Sequence, residues 1–323
     1  MRLSEFEIIR RFFTHRAPSA RVGVGDDAAV LRTRRGRELV VTTDMLLAGR
    51  HFFPSADPRE LGHKALAVNL SDIAAMGAVP RWATLSIALP RADARWLAEF
   101  SRGFMRLARR HRVELVGGDT TRGPLAICVQ VVGEAPPGQA LERSGARVGD
   151  DIWVSGTLGD AALALAALEG RIALPRASRR RLERRLHQPV PRLALGVALR
   201  GLARSAIDVS DGLLADLGHI CERSRVAALI ELARLPASRV LKRHLGEAVA
   251  RAALLAGGDD YELLFTAPRS QRAAIARLAR RLRLRLTRIG TIVPRRRGRA
   301  RVTVLGPRGR PLAIARTGYD HFG

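Results

Sequence analysis

Nine of the chain's sixteen aspartates, at positions 26, 27, 44, 72, 119, 208, 211, 259 and 260, lie in short segments of Gly, Ser, Thr and apolar residues. Ordinary surface acids sit among other polar side chains, whereas these sit where a fold would bury its backbone. A buried carboxylate without a partner costs several kcal/mol or gives up its charge. Several of them converging would also repel one another. The stretch VGVGDDAAVL, residues 22–31, sets two like charges side by side between a Gly-x-Gly turn and an apolar run. Taken singly, each acid has a structural explanation: an Asx turn after Gly25, a strand end at Asp44, a tight turn at 117–119, helix caps at Asp208 and Asp211. Five such motifs in one chain exceed what turns and caps require. Divalent cations would resolve the conflict, and Mg²⁺ takes hard oxygen ligands of this kind.

Strand and helix signals alternate around these motifs. Residues 38–46, ELVVTTDML, read as a strand rich in β-branched residues. Asp57 as N-cap, Pro58 at the first helical position, and Gly77 and Pro80 beyond the end predict a helix over 58–76. On that helix Leu61, Ala65, Val68 and Asp72 share one stripe, so Asp72 points where an apolar residue is expected. A strand over 81–90, a helix over 93–112 and strands over 113–119 and 125–135 follow. The Pro- and Gly-rich loop 135–151 divides the chain into domains at 1–136 and 147–323, and the alternation resumes after it. The fold class is α+β in two α/β halves. A faint echo links the halves: NLSD (69–72) and DVSD (208–211) are each followed by GGD, with 47 and 48 residues between the corresponding aspartates.

The chain of 323 residues carries a formal charge of +26, yet Lys64 and Lys242 are its only lysines. Arginine recurs in nearly every amphipathic segment, most densely at 179–185 and 295–301. That dispersal reads as solvated helix faces rather than a polynucleotide-binding patch, and an aromatic content of 4% argues against base-stacking platforms. No apolar run approaches the ~20 residues of a membrane helix, and the acidic first turns do not form a signal peptide. Cys128 and Cys221 stand far apart with no CxxC, so neither a disulfide framework nor a zinc site is expected, and the cytoplasm is the expected compartment. SGTLGD, beginning at Ser155, is not a Walker A loop, and no serine occupies a G-x-S-x-G elbow. Many Mg²⁺-friendly acids with few nucleophiles point to phosphoryl transfer from a nucleotide, where metals neutralise the polyphosphate.

The set GVGDDAAV, TTDMLLAGRHF, NLSDIAAMGA, VGGDTTR, VSGTLGDA, DVSDGLLADLGHI, GGDDYELLF and GYDHF resembles the thiamine-monophosphate kinase family, in order and over essentially the whole chain. That family belongs with aminoimidazole ribonucleotide synthetase and selenophosphate synthetase. The resemblance implies two α/β domains of the PurM-like type, with the N-terminal halves forming a homodimer. It also implies transfer of the ATP γ-phosphoryl group to thiamine monophosphate, giving thiamine diphosphate and ADP, with several Mg²⁺ ions. Carried over by motif, Asp26, Asp27, Thr42, Thr43, Asp44, Asp72, Asp119, Asp208 and Asp211 would be metal ligands. Gly118, Asp119, Arg143 and Ser210 would contact ATP, and His51, Asp259 and Tyr319 the substrate. No side chain is needed as acid or base, because the acceptor phosphate is already ionised. The chain departs from the family at Asp259, where glutamate is usual. A selenophosphate synthetase would want a reactive cysteine and a lysine near residues 16–26, and a hydrogenase-maturation homologue would end in a cysteine; neither feature is present.

Overall fold

The computed structural model describes residues 4–25, 27–296, 298, 300–314 and 318–319. Asp26, one of the expected metal ligands, lies outside the described residues. The chain divides into two compact units: Met1–Ile73 with Ala78–Gly138, and Ala74–Gly77 with Gln139–Gly323.

The first unit contains α1 (Glu5–Ile8), β1 (Ala20–Val22), β2 (Val30–Leu31), β3 (Glu38–Leu47), α2 (Pro58–Ala75), β4 (Val79–Leu89), α3 (Ala94–His111), β5 (Glu114–Arg122) and β6 (Ala126–Ala135). Its main sheet has the order β3-β6-β4-β5. β6 runs antiparallel to both neighbours, whereas β4 and β5 are parallel. Parallel strands need a long crossover, and α3 supplies it. α2 begins where the caps place it, with the Glu60 N–H donating to Asp57 Oδ1 at 3.0 Å. It ends at Gly77, whose φ of 63° suits glycine, while the Ala78 N–H returns to Ile73 O. The single apolar stripe understates its burial. Leu66, Ala67, Leu70, Asn69 and Ser71 are buried along with Leu61, Ala65 and Val68. α2 is thus a central helix rather than an amphipathic surface one.

α2 and α3 touch at two glycines. A Cβ on Gly62 would stand 2.1 Å from the Phe100 carbonyl oxygen, and one on Gly103 would stand 1.8 Å from that of Arg59. The backbones therefore approach more closely than any side chain at these positions permits.

The segment holding Asp27 differs from its sequence reading. β1 and β2 form a separate two-stranded ribbon, and Asp27, Ala28 and Val30 are exposed. The apolar run after the aspartates is too short to form a core strand, so Asp27 is not held in a buried segment.

The second unit contains β7 (Asp151–Ser155), α4 (Asp160–Leu168), α5 (Arg176–His187), α6 (Leu193–Leu199), β8 (Ser205–Asp208), α7 (Leu213–Arg223), β9 (Ala227–Glu231), α8 (Arg239–Arg243), α9 (Ala248–Ala256), β10 (Leu263–Ala267), α10 (Arg272–Leu282), β11 (Leu286–Val293) and β12 (Val302–Leu305). Its sheet has the order β12-β9-β11-β7-β10-β8, antiparallel except between β12 and β9. Ile152, Val154, Leu217, Ile220, Leu264 and Ile289 anchor one apolar core. YELLFTAP, residues 261–268, reads from its apolar run as a strand, but the strand starts two residues later than that, at Leu263. Tyr261 (φ 50°) and Asp259 (φ 66°) are left-handed and cannot be part of a pleated strand.

Because α3 fixes α2, substituting Gly103 with alanine is expected to overpack that crossing. The loss should be about 1–3 kcal/mol of stability, read as a lower Tm by circular dichroism. An unchanged Tm would mean the crossing relaxes without strain.

Candidate functional site

Each unit carries its own set of candidate residues. In the first, β3 follows the chain's period of two. Thr42 Oγ1 donates to Asp72 Oδ2 at 2.5 Å, so the β3 face bearing Thr42 and Asp44 looks onto α2. Thr43 takes the opposite face, where its hydroxyl lies 3.4 Å from Cys128 Sγ and donates to Val129 O at 3.3 Å. The two adjacent threonines therefore cannot turn their hydroxyls to one ion; on the Asp72 side, Thr43 has only its carbonyl to offer. Asp119 is exposed on the edge strand β5, in the row Met45–Cys128–Ser86–Asp119. Three strand spacings separate it from β3, roughly 14 Å along the row. Next to it, Gly118 (φ 149°) lies so near β4 that a Cβ would stand 1.8 Å from Leu85 O. A cavity of about 450 Å³ opens just beyond, lined by Leu89, Arg91, Thr120, Thr121 and Arg122 among others.

His51 sits in the turn after β3. Its Nδ1 accepts the Leu47 N–H at 3.0 Å, and its own N–H donates to Leu47 O. An accepting Nδ1 places the ring proton on Nε2, which is therefore the ring's donor.

In the second unit, four candidates meet on one loop system. β8 ends at buried Asp208, and the chain then turns through Ser210 and Asp211 into α7. The Asp259 N–H donates to Ser210 O at 2.8 Å, and the Tyr319 N–H to Asp211 O at 3.1 Å. Ser210, Asp211, Asp259 and Tyr319 are thus tied together through backbone. Arg143 is exposed nearby in sequence register: the Ala206 N–H donates to Glu142 O, which lays residues 142–143 alongside β8.

Sequence reading missed the residue that shapes this turn. Asp216, in the first turn of α7, is buried, and its Oδ2 accepts the N–H groups of Ser210, Asp211 and Gly212 at 3.1, 3.2 and 3.0 Å. Burial, with the nearby Asp208 and Asp211 carboxylates, pushes its carboxyl well above the usual range, against the pull of those N–H groups. The signal was present as a further acid, five residues after Asp211, on what would otherwise be an apolar face. Glu262 was missed too, and so were Arg185 and Arg192, which close on it. The sequence placed the arginines of 179–185 on solvated faces. Arg185 turns inward instead, because a buried glutamate needs a cation.

Among the described residues, no three acidic, histidine or cysteine side chains form a preformed metal cage. Mg²⁺ does not demand one: it keeps several waters and is bound through one or two carboxylates plus substrate phosphates. The donors here are all oxygens, and Asp208, Asp211 and Asp216 crowd like charges that a cation would relieve. The residues fit Mg²⁺ held in that shared way.

The chain matches the family models for AIR synthase related protein, N-terminal domain, over residues 25–135, and C-terminal domain, over residues 147–303. It is 45% identical over 327 aligned positions to thiamine-monophosphate kinase of Escherichia coli (strain K12), covering 100% of this chain and 99% of that protein. The crystal structure of thiamine-monophosphate kinase from Stenotrophomonas maltophilia K279a aligns with a TM-score of 0.83 at 49% identity, over 93% of this chain and 94% of the other. The structure of AaThiL complexed with AMPPCP and TMP aligns with a TM-score of 0.78 at 32% identity, over 90% and 89%. With its two PurM-like α/β domains, the chain belongs to the thiamine-monophosphate kinase family of AIR synthase related proteins.

Proposed function

We infer that this chain transfers the γ-phosphoryl group of ATP to the phosphate of thiamine monophosphate, releasing ADP and thiamine diphosphate. The observation that carries this reading is the full-length identity to a thiamine-monophosphate kinase, together with the ATP-analogue and TMP complex of a related fold. The aspartate motifs give it a chemical basis. The acceptor is an anionic oxygen, so the obstacle is repulsion between two phosphates rather than a proton to be removed.

When bound, Mg²⁺ supplies the charge neutralisation that such a transfer needs. Several ions would be held in the first unit, Thr42, Asp44 and Asp72 sharing one and Asp26, Asp27, Asp119 and the Thr43 carbonyl serving others. Asp208 and Asp211 would hold Mg²⁺ in the second. Gly118 would admit a phosphate close to the backbone, since no side chain fits there. Ser210 and Arg143 would contact ATP. The His51 Nε2–H would donate to the substrate, and Asp259 and Tyr319 would fix its orientation beside Ser210 and Asp211. In this reading the chain's contribution is positioning on rigid elements, and Asp72, on a buried helix, is the most firmly held of the ligands.

A homodimer through the first unit completes the proposal. β3 is an edge strand, and its outward face presents Leu39, Val41, Met45 and Leu47, all exposed. A row of apolar side chains on an open edge is a surface for self-association. The proposal includes neither a membrane nor a polynucleotide as partner. No helix among the described residues is long and apolar enough to cross a membrane. Arg185, Arg192, Arg204, Arg272 and Arg288 are engaged with internal carboxylates. Cys128 and Cys221 are both free thiols, which suits the cytoplasm.

A coupled ATP assay with thiamine monophosphate, with and without Mg²⁺, tests the reaction. Thiamine diphosphate formed in equal amount to ADP, only with metal, is the expected result; a folded chain that makes none overturns the substrate assignment. In the same assay Asp72→Asn should lower turnover by about 100-fold or more with an unchanged circular dichroism spectrum. Activity near wild type would remove Asp72 from the metal ligands. Val41→Glu combined with Met45→Glu is expected to halve the mass seen by light scattering, and an unchanged mass would place the interface elsewhere.

A further inference from the structure

The turn that carries Asp259 is held in an unusual backbone state by buried charge. Asp259 and Tyr261 both have left-handed φ angles, 66° and 50°. For residues other than glycine such conformations are strained and persist only where the surroundings over-determine them. Here the alternate residues Asp260 and Glu262 point inward and are gripped. Asp260 is buried, and its Oδ2 accepts the Gly159 N–H at 2.6 Å. Glu262 has no exposure at all. Its Oε2 accepts from Ser155 Oγ at 2.6 Å and Arg192 Nε at 2.7 Å, and its Oε1 accepts from the second nitrogen of the Arg192 fork and from Arg185 at 2.6 Å. The fit leaves no slack: a Cβ on Gly156 would stand 2.1 Å from Oε1. From that anchor the Val209 N–H donates to Glu262 O, the Tyr261 N–H to Val209 O and the Asp259 N–H to Ser210 O, each at 2.8 Å. The Tyr261 hydroxyl closes the loop on Asp259 Oδ1 at 3.0 Å.

We propose that Arg192, through its bidentate pair with Glu262 and assisted by Arg185, is a positioning residue for Asp259 and thereby for thiamine monophosphate. Arg192 works at a distance: it fixes one end of the turn so that the strained residues 259 and 261 have a single conformation. The planar fork matters as well as the charge, because a lysine cannot make two parallel hydrogen bonds to one carboxylate. The inference rests on the reading that Asp259 contacts thiamine monophosphate.

The experiment is a double-mutant cycle in the kinase assay, with KM measured separately for thiamine monophosphate and for ATP, and Tm as a fold control. Asp259→Asn is expected to raise KM for thiamine monophosphate about tenfold. Arg192→Lys should raise it about fivefold, with KM for ATP within about twofold of wild type. The double variant should be no worse than Asp259→Asn alone, since residues acting through one another are not additive. If Arg192→Lys leaves KM for thiamine monophosphate unchanged, raises both KM values alike, or adds independently to Asp259→Asn, the positioning role is wrong while the reading of Asp259 stands. If Asp259→Asn itself has no effect, that reading fails and the inference with it. Should Arg192→Lys not fold, Arg185→Lys, which disturbs one hydrogen bond to Oε1, takes its place in the cycle, with a smaller rise in the same KM and the same non-additivity expected.

Discussion

A glutamate with no solvent exposure, closed on by two guanidiniums and a serine hydroxyl, is the interaction on which the second unit's functional surface depends. Taking a carboxylate out of water costs several kcal/mol, and Coulomb attraction repays that only when geometry and hydrogen bonding are nearly complete. At Glu262 both oxygens are multiply bonded, so the ion stays charged and stays put. The same solution recurs along the sheet. Buried Asp151 takes Arg272 and Arg288, and buried Asp150 takes Arg204. Such pairs add little net stability compared with apolar packing, but they leave few alternative arrangements for the loops they pin.

The first unit reaches rigidity by a different route. Asp72 stands on a helix that is buried on most sides and pressed against α3 at two glycines. Close-packed backbone holds it, with Arg59 of α2 paired to Glu99 of α3 at the same crossing. Its neighbours on β3 are ordered by the pleat, which sends even-numbered residues toward α2 and odd-numbered ones outward. One strand therefore serves the face that meets Asp72 and an apolar face at once. In both units a carboxylate is presented by an element that cannot readily move, which is what a reaction governed by charge placement requires.

Much of this was legible in the sequence. α2 could be read to within a residue, because its caps and the terminal glycine each follow from local chemistry. The α+β class and the loop between the halves could be read from alternation and composition. The acids stand out in the sequence by their small and apolar neighbours, yet Asp27 and Asp119 are exposed, because turns and an edge strand carry them to the surface. What could not be read was set by contacts distant in sequence. Nothing local says that Arg185 and Arg192 turn inward, since their partner lies 70 or more residues away. Thr42 and Thr43 looked like equivalent ligands until the pleat separated them. The left-handed backbone at Asp259 and Tyr261 is set by the buried grip on Asp260 and Glu262, contacts that the strand pattern of residues 261–268 does not reveal.

The choice of arginine over lysine gives these buried pairs, taken by themselves, a one-sided response to protons. Burial would raise the Glu262 carboxyl, but its bonds to Arg192, with Arg185 and Ser155, outweigh this and hold it below the usual range. Asp151 is held low in the same way, its burial outweighed by Arg272 and Arg288. A carboxylate with a depressed value contributes stability that is present above its unfolded value and lost as the pH falls through its folded one. These pairs show no matching loss on the alkaline side, because guanidinium keeps its proton at any pH a protein survives, where a lysine in the same place would surrender its own. The arginine clamp on Glu262 is therefore vulnerable to acid and indifferent to base.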